Sequence, residues 1–291
     1  MSAPGRLVVV ATPIGNLGDL SPRAAAVLAE VDVVACEDTR HTGRLLSAAG
    51  IRTRRLASLH AHNEAARTAE LGNLLAQGAS VALVSDAGTP LVSDPGARLV
   101  QAAVRVGAVV TAVPGPSALL AALVVSGLDT AHFRFEGFLP RTGPERRRRL
   151  EVLAVAEEPS VLYESPRRVA ATLAALAAAC GTDRRVVIAR ELTKLHEEVW
   201  RGTLGAALAE RGEGERRGEH VLVLDGAPAP KSAPLPGIEE ALGRLRGAGL
   251  SVRDAALAAE VLLGLAHRDA YRSALAAGSP PSGEGPEPPV R

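Results

Sequence analysis

The sequence predicts an α/β protein of two lobes, the first built on a largely parallel sheet, with a small helical module appended at the C-terminal end. Three observations carry this. Continuous apolar runs alternate with helix signals through the first part of the chain. The alternation restarts near Thr130, and a Pro/Ala stretch at Gly226–Pro236 separates the body from three short helical segments. Apolar runs with no polar face suit strands covered on both sides, and strand–helix–strand repeats with short loops give parallel sheets.

Leu7–Ala11 is the first such run. Ser21-Pro22 supplies an N-cap and an N1 proline for a helix ending near Glu30. Val31–Ala35 is the second strand, followed by a helix over Thr42–Ala49 that Gly50 ends. After Leu56–Leu59, Asn63 is expected to cap a helix to about Gln77, closed by Gly78. Val81–Ser85 is the next buried strand, Asp94-Pro95 opens a helix to about Val106, and Val109–Val113 ends the first lobe's strands. In the second lobe, helices are expected at Pro144–Ala156, Pro166–Ala179 and Leu204–Arg211, with strands at Ser160–Tyr163, Arg185–Ala189 and His220–Leu224. The expected divisions are a first lobe over 1–129, a second over 130–226, a linker over 227–236, a helical module over 237–277 and a disordered tail over 278–291. In the module, Ser251 and Asp254 form a capping box before an Ala/Leu-rich face.

Apolar residues make up 47% of the chain and charged residues 22%, as in globular proteins; aromatics are only 2%, so aliphatic side chains must fill the core. A net charge of +1 excludes a wholesale electrostatic attraction to nucleic acid, which local basic patches would have to replace. Two cysteines, Cys36 and Cys180, lie far apart and suit a reducing compartment. The first residues lack the apolar segment of a signal peptide, and no apolar run is long enough to span a bilayer, so a cytoplasmic location without membrane attachment is expected.

In parallel sheets ligands collect beyond the carboxyl ends of the strands. Ser85-Asp86-Ala87-Gly88-Thr89-Pro90 stands there, with a glycine that permits close backbone approach and a carboxylate. Asp86 is either a local turn residue or a holder of a ribose hydroxyl or a cation. Thr12-Pro13-Ile14-Gly15-Asn16, Cys36-Glu37-Asp38-Thr39-Arg40 and Pro114-Gly115-Pro116-Ser117 occupy equivalent strand ends. Each alone reads as punctuation, but four on one sheet edge point to a site. Neither a G-x-G-x-x-G nor a Walker loop is present, which counts against a nicotinamide dehydrogenase or an ATPase. The second lobe adds Tyr163–Arg168 and Ala189–Lys194. Arg167 and Arg168 at a helix start oppose its dipole, which suggests an external anion, whereas Arg146–Arg149 reads as a solvated helix face. His60, His62 and Glu64, or Glu37 with His41, lack metal-site spacing, so no metal is expected.

Taken in order, TPIGN (Thr12–Asn16), EDTRHT (Glu37–Thr42), LHAHNE (Leu59–Glu64), SDAGTP (Ser85–Pro90), PGPSA (Pro114–Ala118), EGFLP (Glu136–Pro140), YESPRR (Tyr163–Arg168) and RELTK (Arg190–Lys194) closely resemble the tetrapyrrole-methylase superfamily. Within it they are similar to the bacterial enzymes that methylate a cytidine 2′-hydroxyl of 16S ribosomal RNA. The resemblance covers about Leu7–Asp225 and, more weakly, the helical module after it. It implies a two-lobed tetrapyrrole-methylase-like fold, S-adenosylmethionine as cofactor in a cleft between the lobes, a homodimer, and the small ribosomal subunit as substrate. It implies that Thr12, Pro13, Asp86, Ala87, Gly88, Thr89, Pro90, Ser117 and Ala118 line the cofactor pocket from the first lobe, with Tyr163, Arg190 and His220 from the second.

The reaction so implied displaces a methyl group from a sulfonium onto a ribose hydroxyl. Alignment can supply up to about 7–11 kcal/mol and a general base roughly 10²–10⁴-fold. Candidate bases are Glu37, Asp38, Glu191 and, with a depressed pKa, Lys194. Arg40 joins the catalytic candidates and, with Arg167 and Arg168, is a candidate for RNA phosphates. A methylase of a corrinoid or other small tetrapyrrole, and a non-catalytic RNA- or nucleotide-binding protein of the same fold, remain alternatives.

Overall fold

The first strand, β1 (Arg6–Val10), is an inner strand of a five-stranded parallel sheet. It is joined there by β2 (Val33–Cys36), β3 (Leu56–Ser58), β4 (Ser80–Leu83) and β5 (Val109–Val113), in the order β3-β2-β4-β1-β5. In this computed structural model the described residues are 5–211, 218–228, 238–265 and 267–277. Alternation inside the apolar runs assigns each side chain to a layer, because successive strand residues point to opposite faces. Leu7, Val33, Ala35, Val81 and Leu83 pack under α3 (Glu64–Ala76) and α4 (Ala97–Arg105). Val8, Val10, Val34, Cys36 and Ala82 pack under α1 (Pro22–Glu30) and α2 (Thr39–Ala48).

The second sheet has the order β6-β7-β10-β8-β9, from β6 (Arg134–Phe138), β7 (Ser160–Glu164), β8 (Arg185–Arg190), β9 (Glu198–Thr203) and β10 (His220–Leu224). Only β6 and β7 run parallel; the other neighbours are antiparallel. One face packs on α6 (Pro144–Val155), α7 (Val169–Cys180) and α8 (Leu204–Arg211). The other face, with Val161, Val187, Ala189, Val221 and Val223, is covered by α5 (Ala118–Val124) through Ala122 and Leu123, and by Ile14. The two lobes therefore share a core, and the loops of the first sheet are pressed against the second.

β6 and β9 were not expected from sequence. Gly137 (φ +61°) breaks the register of β6, and β9 carries charge and glycine through its length. Helix starts also differ. α2 begins at Thr39, because the Asp38 carboxylate caps Arg40 N (2.7 Å) and His41 N (3.4 Å). α4 begins at Ala97 after Gly96 (φ +122°), whose N–H donates to Glu64 Oε1 at 3.0 Å. α7 begins at Val169 rather than Pro166. Asn63 precedes α3 without capping it; its side chain accepts from His60 N (2.8 Å) and donates to Ser58 O (3.2 Å), so it ties the turn to β3.

Gly226 and Ala227, expected as unpacked linker, belong to the body: Ala227 N donates to Ala156 O at 2.6 Å. The rest of the linker (229–236), the tail 278–291 and the basic pair Arg216-Arg217 lie outside the described residues. The chain forms two compact units, one ending at Ala227 and one beginning at Pro228. In the second, α9 (Ile238–Gly247), α10 (Val252–Leu263) and α11 (His267–Ala276) enclose Ile238, Leu242, Ala255, Ala256, Ala259, Ala270 and Ala274. Ser251 caps α10, its Oγ accepting from Asp254 N at 3.1 Å and donating to Asp254 Oδ2 at 2.6 Å. No helix among the described residues is long and apolar enough to cross a membrane.

Candidate active site between the lobes

The loops at the carboxyl ends of the first sheet are bonded to one another before they meet anything else. Thr12 N donates to Gly88 O (2.9 Å) and Gly88 N to Thr12 O (3.0 Å), joining the loops after β1 and β4. Gly88 has φ +83°, and a β-carbon there would stand 3.2 Å from Ile14 Cγ2, so this position needs glycine on two counts. Thr89 Oγ1 donates to Pro116 O (3.1 Å), which brings in the loop after β5. Ser117 then caps α5. From the second lobe Tyr163 reaches across, its hydroxyl accepting from Leu119 N at 3.2 Å.

Two cavities open beside this lattice. The first, about 340 Å³, is lined by Asp86–Thr89, Val92–Asp94, Ser117 and Ala118 of the first lobe, and by Phe138, Tyr163–Pro166 and Glu219–Val221 of the second. The second, about 430 Å³, is lined by Pro13, Ile14, Gly15 and Leu17, by His41, Arg44, Leu45 and Ala48 of α2, and by Lys194. Both are lined by Ile14, Asp86, Ala87 and Glu219, so these residues form a common wall. The chain has only three phenylalanines and two tyrosines, yet Phe135 and Phe138 both stand edge-on to Tyr163, at centroid distances of 5.1 and 5.7 Å. Of this group, Phe138 and Tyr163 line the first cavity.

Among the described residues, four that are not glycine have positive φ: Leu91 (74°), Ser93 (73°), Glu191 (51°) and Thr193 (66°). All four lie in the two loops that supply Val92–Asp94 and Lys194 to the cavities. Such conformations cost of order 1–3 kcal/mol each and persist where the surroundings over-determine them. Glu191 is held so: its N–H donates to Glu219 O (3.0 Å), and its Oε1 accepts from Glu219 N (2.9 Å) and from Lys194 Nζ (2.8 Å).

The charges of the site are graded by environment. Burial, reinforced by Glu37 and opposed by the Ser85 hydroxyl, pushes the Asp94 carboxyl up to about 6. Burial and then Asp86 raise Glu37. Hydrogen bonds from the Arg40 side chain and then its backbone hold Asp38 down at about 2. The bond from Lys194 keeps Glu191 below the usual range. Burial pulls Lys194 down, but Glu191 and Glu219 together outweigh it and hold the ammonium above the ordinary lysine value. His220 is buried and lowered by that burial, and its Nδ1 lies 2.9 Å from Gly218 O. A carbonyl can only accept, so Nδ1 carries the proton and the other ring nitrogen of the neutral imidazole is an acceptor.

The expected site residues divide accordingly. Asp86, Ala87, Gly88, Thr89, Ser117, Ala118, Tyr163 and His220 line the first cavity, and Pro13 and Lys194 the second. Thr12 and Pro90 are buried behind the wall, where Thr12 Oγ1 donates to Ser85 O at 3.2 Å. Arg190 pairs with Glu198 on β9 (3.3 Å) and lines neither cavity. Glu37 and Asp38 stand behind Asp86, whose Oδ1 accepts from Asp38 N (3.2 Å). Arg40 is exposed and paired with Asp38. Arg168, expected at RNA, is half-buried, and its guanidinium bonds Leu139 O (2.6 Å) and the buried Glu164 (3.2 Å). Arg167 is exposed. Arg149 is not simply solvated either, bonding Glu136 O (2.9 Å) and Glu145 (3.2 Å).

Sequence reasoning missed Asp94, Phe138, Glu164 and Glu219 at the first cavity and His41, Arg44, Leu45 and Ala48 at the second. The second set had a signal, since its i, i+3, i+4, i+7 spacing marks one helix face. Placing the helix start at Thr42 hid it. Among the described residues no group of three or more His, Cys, Asp or Glu is placed to hold a metal ion.

Residues 6–208 match the family of Tetrapyrrole (Corrin/Porphyrin) Methylases. Curated relatives bear the name Ribosomal RNA small subunit methyltransferase I. One from Xylella fastidiosa is 51% identical over 237 residues, covering 81% of this chain and 86% of its own. One from Mycobacterium tuberculosis is 47% identical, covering 86% and 87%, and one from Escherichia coli O157:H7 is 41% identical, covering 93% and 95%. Among solved structures, the methyltransferase CobJ superposes with a TM-score of 0.58 at 22% identity, covering 80% of this chain and 98% of its own. A uroporphyrin-III-C-methyltransferase from Thermus thermophilus gives 0.52 at 23%, covering 76% and 94%. That structural likeness is one of fold. With a family match over most of its length and relatives of this identity, the chain belongs to the tetrapyrrole (corrin/porphyrin) methylases, and within them to the group of ribosomal RNA small subunit methyltransferases I.

Proposed function

We propose that the chain is an S-adenosylmethionine-dependent methyltransferase of small-subunit ribosomal RNA, and that the group it modifies is the 2′-hydroxyl of a cytidine. One observation carries the substrate class. Relatives at 41–51% identity are named for small-subunit ribosomal RNA, whereas the corrin and porphyrin enzymes resemble the chain in fold at under 25% identity. What supports the chemistry is the pair of cavities with a common wall, room for a donor and an acceptor side by side.

The first cavity suits the cofactor by its donor set and size. Small-molecule sites run about 300–1,000 Å³, mostly apolar with a few placed polar groups. Here backbone at Asp86–Thr89 is laid bare by Gly88, carboxylates of Asp86 and Asp94 can accept from amino or ribose groups, and the Tyr163 group and Ile14 supply apolar surface. When bound, S-adenosylmethionine supplies a methyl group made electrophilic by its sulfonium. The chain's own residues bind, align and handle the proton. Lys194 keeps its charge, so it orients an acceptor and is no base. Asp38 is spent on capping α2. Asp86, on the common wall, is the carboxylate we place against the acceptor hydroxyl, with Glu37 behind it.

The chain acts as a homodimer in this reading. Support comes from β5, an edge strand of the first sheet without a charge or proline, its Val109, Thr111 and Ala112 exposed. Proteins ordinarily blunt such edges. The place of action is then the cytoplasm, where small subunits are found.

The test is methyl transfer from labelled cofactor to purified small subunits, followed by nuclease digestion and mass spectrometry. A 2′-O-methylcytidine is expected. Label only on a base, or transfer only to a corrinoid, overturns the substrate. Calorimetry with Asp86→Ala should show cofactor affinity weakened at least tenfold, and equal affinity removes Asp86 from the cofactor's half of the site.

A further inference from the structure

We propose that the cavity under α2 seats the acceptor nucleotide of the RNA, with Arg44 taking a phosphate and Lys194 facing the ribose. This rests on the reading above and names the half of the site that receives the substrate. The cavity shares its inner wall, Ile14, Asp86, Ala87 and Glu219, with the cavity given to the cofactor, so anything seated in it borders the donor.

Its lining divides by chemistry. Leu17, 42% exposed, with Leu45 and Ala48, offers an apolar surface for the flat face of a base or sugar. His41 and Arg44 bring the basic side from one face of α2. Among the described residues Arg44 has no ion-pair partner, while Arg40 beside it is paired with Asp38 and Lys194 with Glu191 and Glu219. Its Nε makes only a long bond to Arg40 O at 3.4 Å. An exposed helix arginine is ordinarily just solvated. Here it lies on the rim of a concave, partly apolar pocket of about 430 Å³, large enough for a nucleotide.

Lys194 is fitted to this cavity from the other lobe. Its stem runs over Gly15, and its ammonium is fixed by Glu191 at 2.8 Å and Glu219 at 3.2 Å. A fixed cation next to the common wall can orient a sugar oxygen. The lining holds no Phe, Tyr or Trp, so His41 is the one ring there against which a base could lie. Recognition by shape, ribose and phosphate fits better than recognition by aromatic stacking.

The experiment is binding of the full chain to purified small subunits across a salt series, with no methyl donor present, beside calorimetry with S-adenosylmethionine. Arg44→Glu is expected to weaken subunit binding at least tenfold. It should also flatten the salt slope, since each phosphate contact contributes roughly 0.7–0.9 to it. Arg44→Lys should keep most of both. Leu17→Trp, which fills the cavity, should weaken subunit binding with cofactor affinity unchanged, and Arg105→Glu on the exposed side of α4 should change neither. Wild-type affinity and slope in Arg44→Glu, or loss of cofactor and subunit binding together in Leu17→Trp, would overturn the proposal. A wild-type chain that binds subunits but transfers no methyl group to them would instead overturn the functional reading beneath it.

Discussion

Lys194 of the second lobe lies across the backbone of Gly15 in the first, so closely that a β-carbon on residue 15 would overlap Lys194 Cγ and stand 3.0 Å from Cε. The glycine of the first loop is thus a seat for a lysine, not a turn device, and its φ is not in the left-handed region. Gly15→Ala should fold normally while displacing the ammonium from the common wall. Misplacement of about 1 Å can cost on the order of 10²-fold. Single-turnover methyl transfer to small subunits is expected to fall about 10- to 100-fold, with the thermal midpoint nearly unchanged. An undiminished rate would show that the position of Lys194 does not matter.

Asp94 sets a pH dependence of stability. Its carboxyl is at about 6 in the folded chain against an ordinary value of 3.8, so between those pH values the folded chain holds more protons than the unfolded one. Stability therefore falls as pH rises through that window, and the loss is complete above about 6. Asp94→Asn removes it. The variant should gain up to about 2 kcal/mol in urea unfolding at pH 7.5 relative to its difference from wild type at pH 4. A difference that does not change with pH would refute this.

Arg168 is expected to matter for folding and not for RNA. Glu164 is 1% exposed and relies on Ser165 N (2.8 Å), Thr172 Oγ1 (2.7 Å) and Arg168 Nε (3.2 Å). Removing one partner of a buried pair costs about 3–5 kcal/mol, less here because Arg168 keeps some contact with water. Arg168→Ala should lose about 2–3 kcal/mol by urea denaturation. Pairing it with Glu164→Gln should return part of that. The salt slope of subunit binding should stay as in wild type.

The exposed edge of β5 carries the dimer expectation. Thr111→Lys puts a charge in mid-strand on a face open to solvent, the device natural edges use against pairing. Light scattering should report a dimer for wild type and a monomer for the variant, with circular dichroism unchanged. A dimer in both would move the interface elsewhere.

Much of the frame was legible in the residues. The apolar runs became β1, β2 and β4, Ser21 and Ser251 cap the helices they precede, and four loaded loops do gather at one sheet edge. These features depend on neighbours a few positions away, so periodicity and side-chain chemistry suffice. β6 and β9 escaped because a bulge at Gly137 and a half-polar strand have no clean period. Asp38 read as a candidate base because its carboxylate looks the same whether or not two backbone N–H groups occupy it.

The sequence by itself determined most of the strands and helices and which loops carry polar groups. Only the tertiary structure decided what those groups face. Thr12 and Gly88 belong to equally suggestive motifs, yet packing buries the threonine and lays the glycine along a cavity. Arg168 turns inward to the buried Glu164, and Arg44 stays at a rim because α2 turns Thr42 and Leu46 into the core and leaves residue 44 exposed. The reason is the meeting of two sheets: α5 and Ile14 close the second sheet against the first, and the space left over between residues remote in the chain is what becomes a site.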